Sequence, residues 1–549
     1  MAKYQNSSRR ITGSMSRRDV LRAGGLLLPA TALAPALFTR VSRAATTSTT
    51  FDFYISTGGN DSNAGTLASP WAITAINTHS NAYAGKRLGI LPGTYDVSSL
   101  MGSFHSPALQ INGGPNSSTP TYIGTSNSGG QYQQGTATLD AKGSSGSYGG
   151  RNSNLSTVIG TANGTSGGAG GPATPANWGN WILDGLQITG FSLWALQVGS
   201  YDGTGGQVPN TTIQNCVLHD SNGASAQYGG THVGPMELYC YNNCLVTNCW
   251  FYNNLNVNAD STHCECITAW GGVGGANSQG LTIQLCTFVN TGGVYGIYDT
   301  GVISGTTIQQ CYFDMTTAGS GTGVPNGIAI MGFGNTSAQG LAGSVFRNNI
   351  IRGGGAIDGY MATAEDQWTT TAAYYNNTWD LAGGAGFSSG GVGFRFVEAS
   401  GHSGIFSCYN NLCYDDGEAG SISYGYNACN TDGFAVCDYN IYGTRDTFST
   451  YGANGGGGSA NTGSFSAWKS ATGRDAHSLA NSANPFANKG AYALQYQVQS
   501  GSPAYQAGRV KGVSSGAVCN IGAWDGTVTQ IGYSSAGVVQ PNPPVLSVS

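Results

Sequence analysis

Three acidic residues, Glu237, Glu265 and Asp299, offer the most specific chemistry in this sequence. Two carboxyl groups held roughly 5 to 10 Å apart can share the work of breaking a glycosidic bond: one donates a proton and the other activates water or attacks. Glu265 lies in "ADSTHCECITAWGG" (residues 259–272), where His263, Cys264, Glu265 and Cys266 also present four metal-ligand types in a row. A structural zinc site needs paired ligands spaced about two to four residues apart, with a second pair elsewhere. In a strand, His263 and Glu265 share one face and Cys264 and Cys266 the other, so the four cannot converge on one ion. No metal is expected here. With both cysteines facing a core, Ile267 falls on the wrong side, and a bend or bulge must intervene.

The acids can be placed by counting from a recurring motif. Glu237 lies 12 residues before Cys249, and Asp299 lies 12 before Cys311. Glu265 lies 21 before Cys286, and the loop from Gly271 to Gly280 would absorb the extra 9. This count predicts one column of acids on three successive rungs. Asp260, His263 and His232 lie a few residues upstream, the first two as further catalytic candidates and His232 as a substrate contact. Trp270, Tyr295 and Tyr298 are candidate platforms for sugar rings. "FRFVEASGH" supplies a second candidate group, with Arg395 as a substrate contact beside Glu398 and His402. Asp184, in "WILDGLQI", reads as a turn residue.

The elements that must position these residues repeat along the chain. "IQNCVLHD", "VTNCWFYN", "IQLCTFVN" and "IQQCYFDM" place a cysteine at 216, 249, 286 and 311. "FRNNIIRG", "YYNNTWDL" and "CYNNLCYD" continue the frame with Asn349, Asn377 and Asn411, and "CDYNIYG" adds Asn440 more loosely. Steps of 25 to 38 residues around a fixed motif are what a solenoid gives when loops of variable length leave each turn. Short β-branched and aromatic runs separated by Gly, Ser, Thr and Asn, with no long helical periodicity, make the chain all-β. The Asn/Cys column reads as an internal ladder in which most of the 13 cysteines pack as small hydrophobes. Disulfides such as Cys240–Cys244 or Cys429–Cys437 stay open.

Both ends resemble one group. "FYISTGGNDSNAGTLASPWA" (Phe53 to Ala72) and "GKRLGILPGTYDV" (Gly85 to Val97) resemble the opening of bacterial proteins of the pectate-lyase-like superfamily. "GSPAYQAG" and "CNIGAWDG" resemble its usual ending, with Cys519 where that group more often has Asp. The resemblance implies a single-stranded right-handed parallel β-helix with an N-terminal cap and long loops. It implies no one activity, since the fold hosts lyases, hydrolases, epimerases and adhesins. In the entry loop, Asp61 and Asn63 read as an Asx turn rather than as calcium ligands. The expected organisation is a signal peptide at 1–44, a strand and cap region at 45–100, the β-helix at 101–527 and a flexible tail at 528–549.

Compartment and charge narrow the function. Arg17 and Arg18 precede an apolar run from Ala23 to Phe38, broken by Pro29 and Pro35, with small residues at Ser42 and Ala44. The pattern resembles a twin-arginine (Tat) export signal, with Val20 where that family usually has Phe. A secreted or periplasmic protein with no membrane span is expected. Without residues 1–44 the chain carries 13 basic and 25 acidic residues, a net charge near −12. Such a chain lacks the footprint of a nucleic-acid binder and would repel polyanions. A neutral polysaccharide is the partner expected; oligomeric state is left open.

Hydrolysis by paired carboxyls is the leading reading. A calcium-assisted lyase is the first alternative, but this group's lysine base cannot be carried over, because no lysine occurs between Lys142 and Lys469. Its base would be Arg352, Arg395 or His263, and calcium is the one cofactor admitted. The second alternative is a non-catalytic adhesin or carbohydrate-binding scaffold, for which the acids would scatter around the coil. No haem, nucleotide or iron–sulfur spacing supports a redox protein. The exported chain should begin at Ala45, and replacing Arg17 and Arg18 by Lys should leave the uncut precursor inside the cell. N-terminal sequencing of the fractionated protein checks both.

Overall fold

The computed structural model describes residues 50–534 except 102–106, 143–156, 162–176, 192–193, 200–205, 222–234, 255–264, 272–277, 299–302, 317–325, 333–342, 354, 362–371, 381–391, 397–405, 415–420, 425–433, 445, 451–459, 491–492 and 511–516. Of its two compact units, the smaller (1–48 with 511–515) lies outside these residues; the larger spans 49–510 and 516–549.

Each turn of the larger unit visits three sheets in a fixed order. Trp181–Asp184 belongs to the first sheet, Gln187–Thr189 to the third and Trp194–Val198 to the second. The next turn repeats this with Val208–Gln214, Val217–His219 and Met236–Tyr239, and each strand pairs in parallel with its counterpart one turn away. The first sheet runs from Phe53–Ile55 to Phe434–Asp438, the second from Pro107–Gln110 to Ala460–Gly463, and the third from Gly93–Asp96 to Leu479–Ala480. Parallel pairing with a crossover on every turn takes the right-handed sense that twisted strands impose. The expected right-handed parallel β-helix is therefore what forms.

The recurring motif is a two-residue corner between the first and third sheets. Its first residue turns the chain with a left-handed φ: Asn215 at 56°, Asn248 at 50°, Asn348 and Asn376 at 54°, Asn410 at 55°. Asn tolerates this conformation better than other non-glycine residues do. The second residue points inward. Asn349 donates Nδ2 to Asn377 Oδ1 at 3.0 Å, Asn377 to Asn411 at 3.0 Å, and Asn411 to Asn440 at 3.2 Å. Each of the three also donates to a main-chain carbonyl of an earlier turn. Its Oδ1 accepts from the main-chain N–H of the ladder residue one turn before, as Asn411 Oδ1 does from Asn377 N–H at 3.0 Å. Asp475, fully buried, ends the series by accepting from Asn440, Trp468, Tyr442 and Ser478.

Toward the N-terminus the same positions hold Cys216, Cys249, Cys286 and Cys311, all buried as free thiols. Burial pushes the first three thiols well above their ordinary range, so they stay protonated and inert. Cys240 and Cys244 form no disulfide with each other; Cys437 is a thiol, and its suggested partner Cys429 lies outside the described residues. Stacked rings fill the interior beside the ladder, with Phe251, Phe288 and Phe313 spaced at 4.9 and 4.5 Å.

The ends are closed by short helices. Ala75–Thr78 and Ser80–Tyr83 lie at the N-terminal end, where Tyr83 is buried and its hydroxyl donates to Ile76 O at 2.7 Å. Phe465–Thr472 lies at the other end; Ser464 caps it by accepting from Ala467 N–H, and Gly473 stops it at φ 65°. The segment after it returns along the corners. Asn410 donates to Arg509 O, Asn376 to Asn520 O and Asn348 to Ala523 O, Gly532 N–H donates to Gln310 O, and Ser534 N–H donates to Asn248 Oδ1. Residues 528–534 are thus packed on the solenoid instead of beginning a tail; residues 535–549 lie outside the described residues.

The ladder sets a stability prediction. Asn411→Ala removes donors and acceptors from two neighbouring turns and strands buried polar groups, and should cost about 3 kcal/mol. Urea unfolding against the wild type measures it.

Candidate functional site

The strand Met236–Tyr239 puts Met236 and Leu238 in the core, so alternation sends Glu237 and Tyr239 to the outer face of the second sheet. Glu237 is nevertheless 1% exposed. Tyr239, two residues on and on the same face, donates its hydroxyl to Glu237 Oε2 at 2.6 Å. Trp270, the register partner of Tyr239 on the next strand, stacks on it with ring centroids 5.9 Å apart and 17° between planes. On the preceding strand Gln197 stands beside Glu237, is fully buried, and accepts from Thr157 Oγ1 at 2.8 Å. The result is a carboxyl, its tyrosine donor and an aromatic wall on one sheltered sheet face.

The register corrects the predicted column. Glu237 pairs with Thr268, not with Glu265, and Thr268 pairs with Tyr295, not with Asp299. Glu237 lies 12 residues before its corner cysteine and Thr268 lies 18 before Cys286, so this turn is longer by six residues rather than nine. Counting back from the corner therefore overshoots. Glu265 instead opens the strand Glu265–Gly271 opposite Gly293, two register positions before Tyr295. The strand is bulged between Glu265 and Ile267, and Cys266 and Ile267 are both fully buried. The bulge expected from the parity of "HCECI" is therefore present. One strand spacing and two register steps leave the Glu237 and Glu265 backbones roughly 8 Å apart.

The remaining candidates separate. Tyr295 shares the row of Glu237 and Thr268, and Tyr298 stands opposite Gly271. Asp299, Asp260, His263 and His232 lie outside the described residues, as do Glu398 and His402. Following the row further gives Ala329, Asp358 and Arg395, one per strand. Arg395 is thus five strands from Glu237, roughly 24 Å along the axis, and is not part of the same cluster. Tyr239, Gln197 and Asp358 were not foreseen. Tyr239 was within reach of sequence reasoning, since two residues from Glu237 in a strand means the same face.

Three sequence candidates are structural. Arg352, considered as a base, bonds Asp314 at 2.8 Å, and Asp314 also accepts from Thr316. Burial opposes its charge, but Asp314, with Tyr312 and Tyr496, more than offsets this and raises the guanidinium above its already high range. Asp380, next in that row, accepts from Tyr496 and pairs with Lys489 at 3.3 Å. Asp380 thereby fastens the returning C-terminal segment, whose Phe486, Tyr496, Ile521 and Trp524 cover Tyr312, Ile350 and Leu412, whereas Arg352 and Asp314 tie two neighbouring turns of the coil. Asp184 is not a turn residue but a buried strand end accepting four bonds, from Tyr122, Tyr132, Gln214 and Asn215 at 2.6 to 2.7 Å. Asp61 accepts from Thr74 and Thr78, and Asn63 donates to Pro70 O; the Asx turn is one residue earlier, where Asn60 Oδ1 accepts from Ser62 N–H. Among the described residues no group of three or more His, Cys, Asp or Glu side chains could hold a metal, and no helix is long and apolar enough to cross a membrane.

Three parallel sheets around an asparagine ladder define the architecture. The chain is a three-sheet parallel β-helix. No family model and no curated protein matches the sequence. Among solved structures the chain is similar to pectate lyase Pel9A, with a TM-score of 0.49 and 13% identity over 86% of this chain and 96% of that one. It is similar to a rhamnogalacturonan lyase, with a TM-score of 0.44 and 16% identity over 66% and 81%. It is also similar to a GH136 lacto-N-biosidase from Eubacterium ramulus, with a TM-score of 0.32 and 11% identity over 73% and 67%. These likenesses concern the fold and carry no substrate or mechanism to this chain.

Arg352→Met separates a fastening role from a catalytic one. It strands the buried Asp314 and should lower stability by about 3–5 kcal/mol. Urea unfolding measures the loss, while turnover by the folded fraction stays at the wild-type rate.

Proposed function

We propose that this chain is an exported carbohydrate-active enzyme that cleaves glycosidic bonds of a neutral polysaccharide, with Glu237 and Glu265 as its acid/base pair. The observation that carries this reading is Glu237: an acid on the outer face of a sheet, sheltered from water, oriented by the Tyr239 hydroxyl and flanked by the Tyr239–Trp270 stack. The aromatic wall supplies the apolar surface that the C–H face of a sugar ring requires.

The separation of the pair bears on the mechanism. Roughly 8 Å between the two backbones would let both carboxyls reach one glycosidic bond, as hydrolysis by a carboxyl pair requires. One carboxyl protonates the leaving oxygen as the other takes a proton from water attacking the anomeric carbon. Export by the Tat-type signal supports an extracellular polymer as substrate, and the net charge near −12 supports a neutral one.

A second reading has its own observation. Asp358 and Arg395 are register partners on the same sheet, which would suit β-elimination from a uronate with arginine as base and calcium on the substrate's carboxylate. The mature chain, assayed on neutral and uronate-containing polysaccharides with and without a chelator, distinguishes the two. Hydrolysis yields new reducing ends without the ultraviolet absorbance of unsaturated sugars, and Glu237→Gln or Glu265→Gln should lower it about 10²- to 10⁴-fold. Absorbance that the chelator abolishes and Glu237→Gln leaves intact would establish the lyase. Inactivity on every polymer would leave a binding scaffold.

A further inference from the structure

The cysteine half of the inward ladder has a chemistry that its asparagine half lacks. Cys216, Cys249, Cys286 and Cys311 are separated by 33, 37 and 25 residues along the chain. The residues that follow them, Val217, Trp250, Thr287 and Tyr312, are register partners from one turn to the next. The four thiols therefore stand in one column on four successive turns, all of them buried.

The spacing of the turns decides what this column tolerates. Successive turns lie about 4.8 Å apart, and inward side chains in register run parallel, so neighbouring Cβ atoms keep roughly that separation. A disulfide draws its Cβ atoms to about 3.5–4.5 Å, so a bond between neighbouring turns would pinch the coil. A bond that skips a turn is excluded outright. Cys216 and Cys286, or Cys249 and Cys311, stand roughly 9.6 Å apart, beyond the roughly 7 Å that a disulfide spans between Cα atoms.

The unfolded chain has no such restriction. Closing a loop twice as long costs little more, so turn-skipping pairs compete with neighbouring ones. Each bond that forms releases two protons and two electrons to an oxidant; a small disulfide such as oxidised glutathione takes them up and leaves as two thiols. Folding ends this exposure. The S–H groups then donate to main-chain carbonyls at 3.2 to 3.4 Å. Burial holds Cys216, Cys249 and Cys286 protonated, and the thiolate is the form that attacks a disulfide.

We propose that this column makes folding redox-gated: the chain reaches the native coil only while Cys216, Cys249, Cys286 and Cys311 are reduced, and once folded it resists the same oxidant. An order of events follows. Exported proteins enter an oxidising compartment, so this chain has to fold before it arrives there. The Tat-type signal, whose route carries folded proteins, supplies that order, a step that rests on the export reading above.

Refolding tests the gate. The chain from Ala45 onward, unfolded in urea with reductant, is diluted into dithiothreitol or into glutathione kept mainly oxidised. Circular dichroism gives the folded fraction, and peptide mapping locates the disulfides. The oxidising buffer should lower recovery about tenfold, with turn-skipping bonds among the four column cysteines in the misfolded fraction. Native protein held in that buffer should keep all four thiols and its spectrum. Replacing the four cysteines by Ala should bring the two recoveries together; where that variant does not fold, mapping of the wild type decides. Equal recovery of the wild type in both buffers would overturn the proposal, as would bonds confined to other cysteines or a folded variant that stays as sensitive. A folded protein carrying a Cys216–Cys249 or Cys286–Cys311 bond would overturn it too, by making the column a set of staples. None of these readouts involves export, so an uncut precursor retained in the cell would sink the export reading alone.

Discussion

The corner between the first and third sheets is the constraint on which the rest of the coil depends. It must reverse the strand direction in two residues, so one residue takes a left-handed φ and the next turns inward. Asn serves the first position by tolerating that φ and by bonding its counterparts along the corner, as Asn248 does to Asn215 at 2.7 Å. The inward position admits two solutions. A thiol asks little of its surroundings, and Cys216, Cys249, Cys286 and Cys311 donate only weakly to main-chain carbonyls. An asparagine needs partners on both sides, so once Asn349 occupies the ladder, Asn377, Asn411 and Asn440 must follow until Asp475 closes the series. That is why the two residue types occur in blocks.

With every turn anchored at that corner, the three sheets take on different work. Their inner faces share one core of stacked aromatic and aliphatic side chains. The outer face of the third sheet is covered over much of its length by the returning segment, held by Asp380 through Lys489 and Tyr496. The second sheet lies between the connections that vary most in length, and it carries the sheltered Glu237. Variable connections next to a rigid scaffold are where proteins of this kind can change function without disturbing the fold.

The same division explains what could be read from the sequence. The motif "NC" or "NN" was legible because two adjacent positions are constrained by residue type, one by φ and one by burial. The bulge at Cys266 was legible because strand parity has only two values. The alignment of Glu237, Glu265 and Asp299 was not legible, since register in the second sheet depends on loop lengths that leave no residue-type signature. Asp184 reads as a turn because it is an isolated acid before a glycine, whereas its four donors come from residues up to 62 positions away. The packing of residues 528–534 was hidden for the same reason, as their partners lie on turns far earlier in the chain.

That returning segment has a consequence for how the molecule comes apart. A solenoid whose turns touch only their neighbours is nearly one-dimensional and can fray from either end, losing cooperativity as it lengthens. Here Ser534 is bonded to Asn248 and Tyr533 to Thr287, while Asn348, Asn376 and Asn410 are bonded to other points of the same segment. Residues 509–534 thus tie turns made much earlier in the chain, and no bound turn can open without breaking the tie. The coil gains the all-or-none character of a globular domain, at the cost of a folding step that waits for the returning segment.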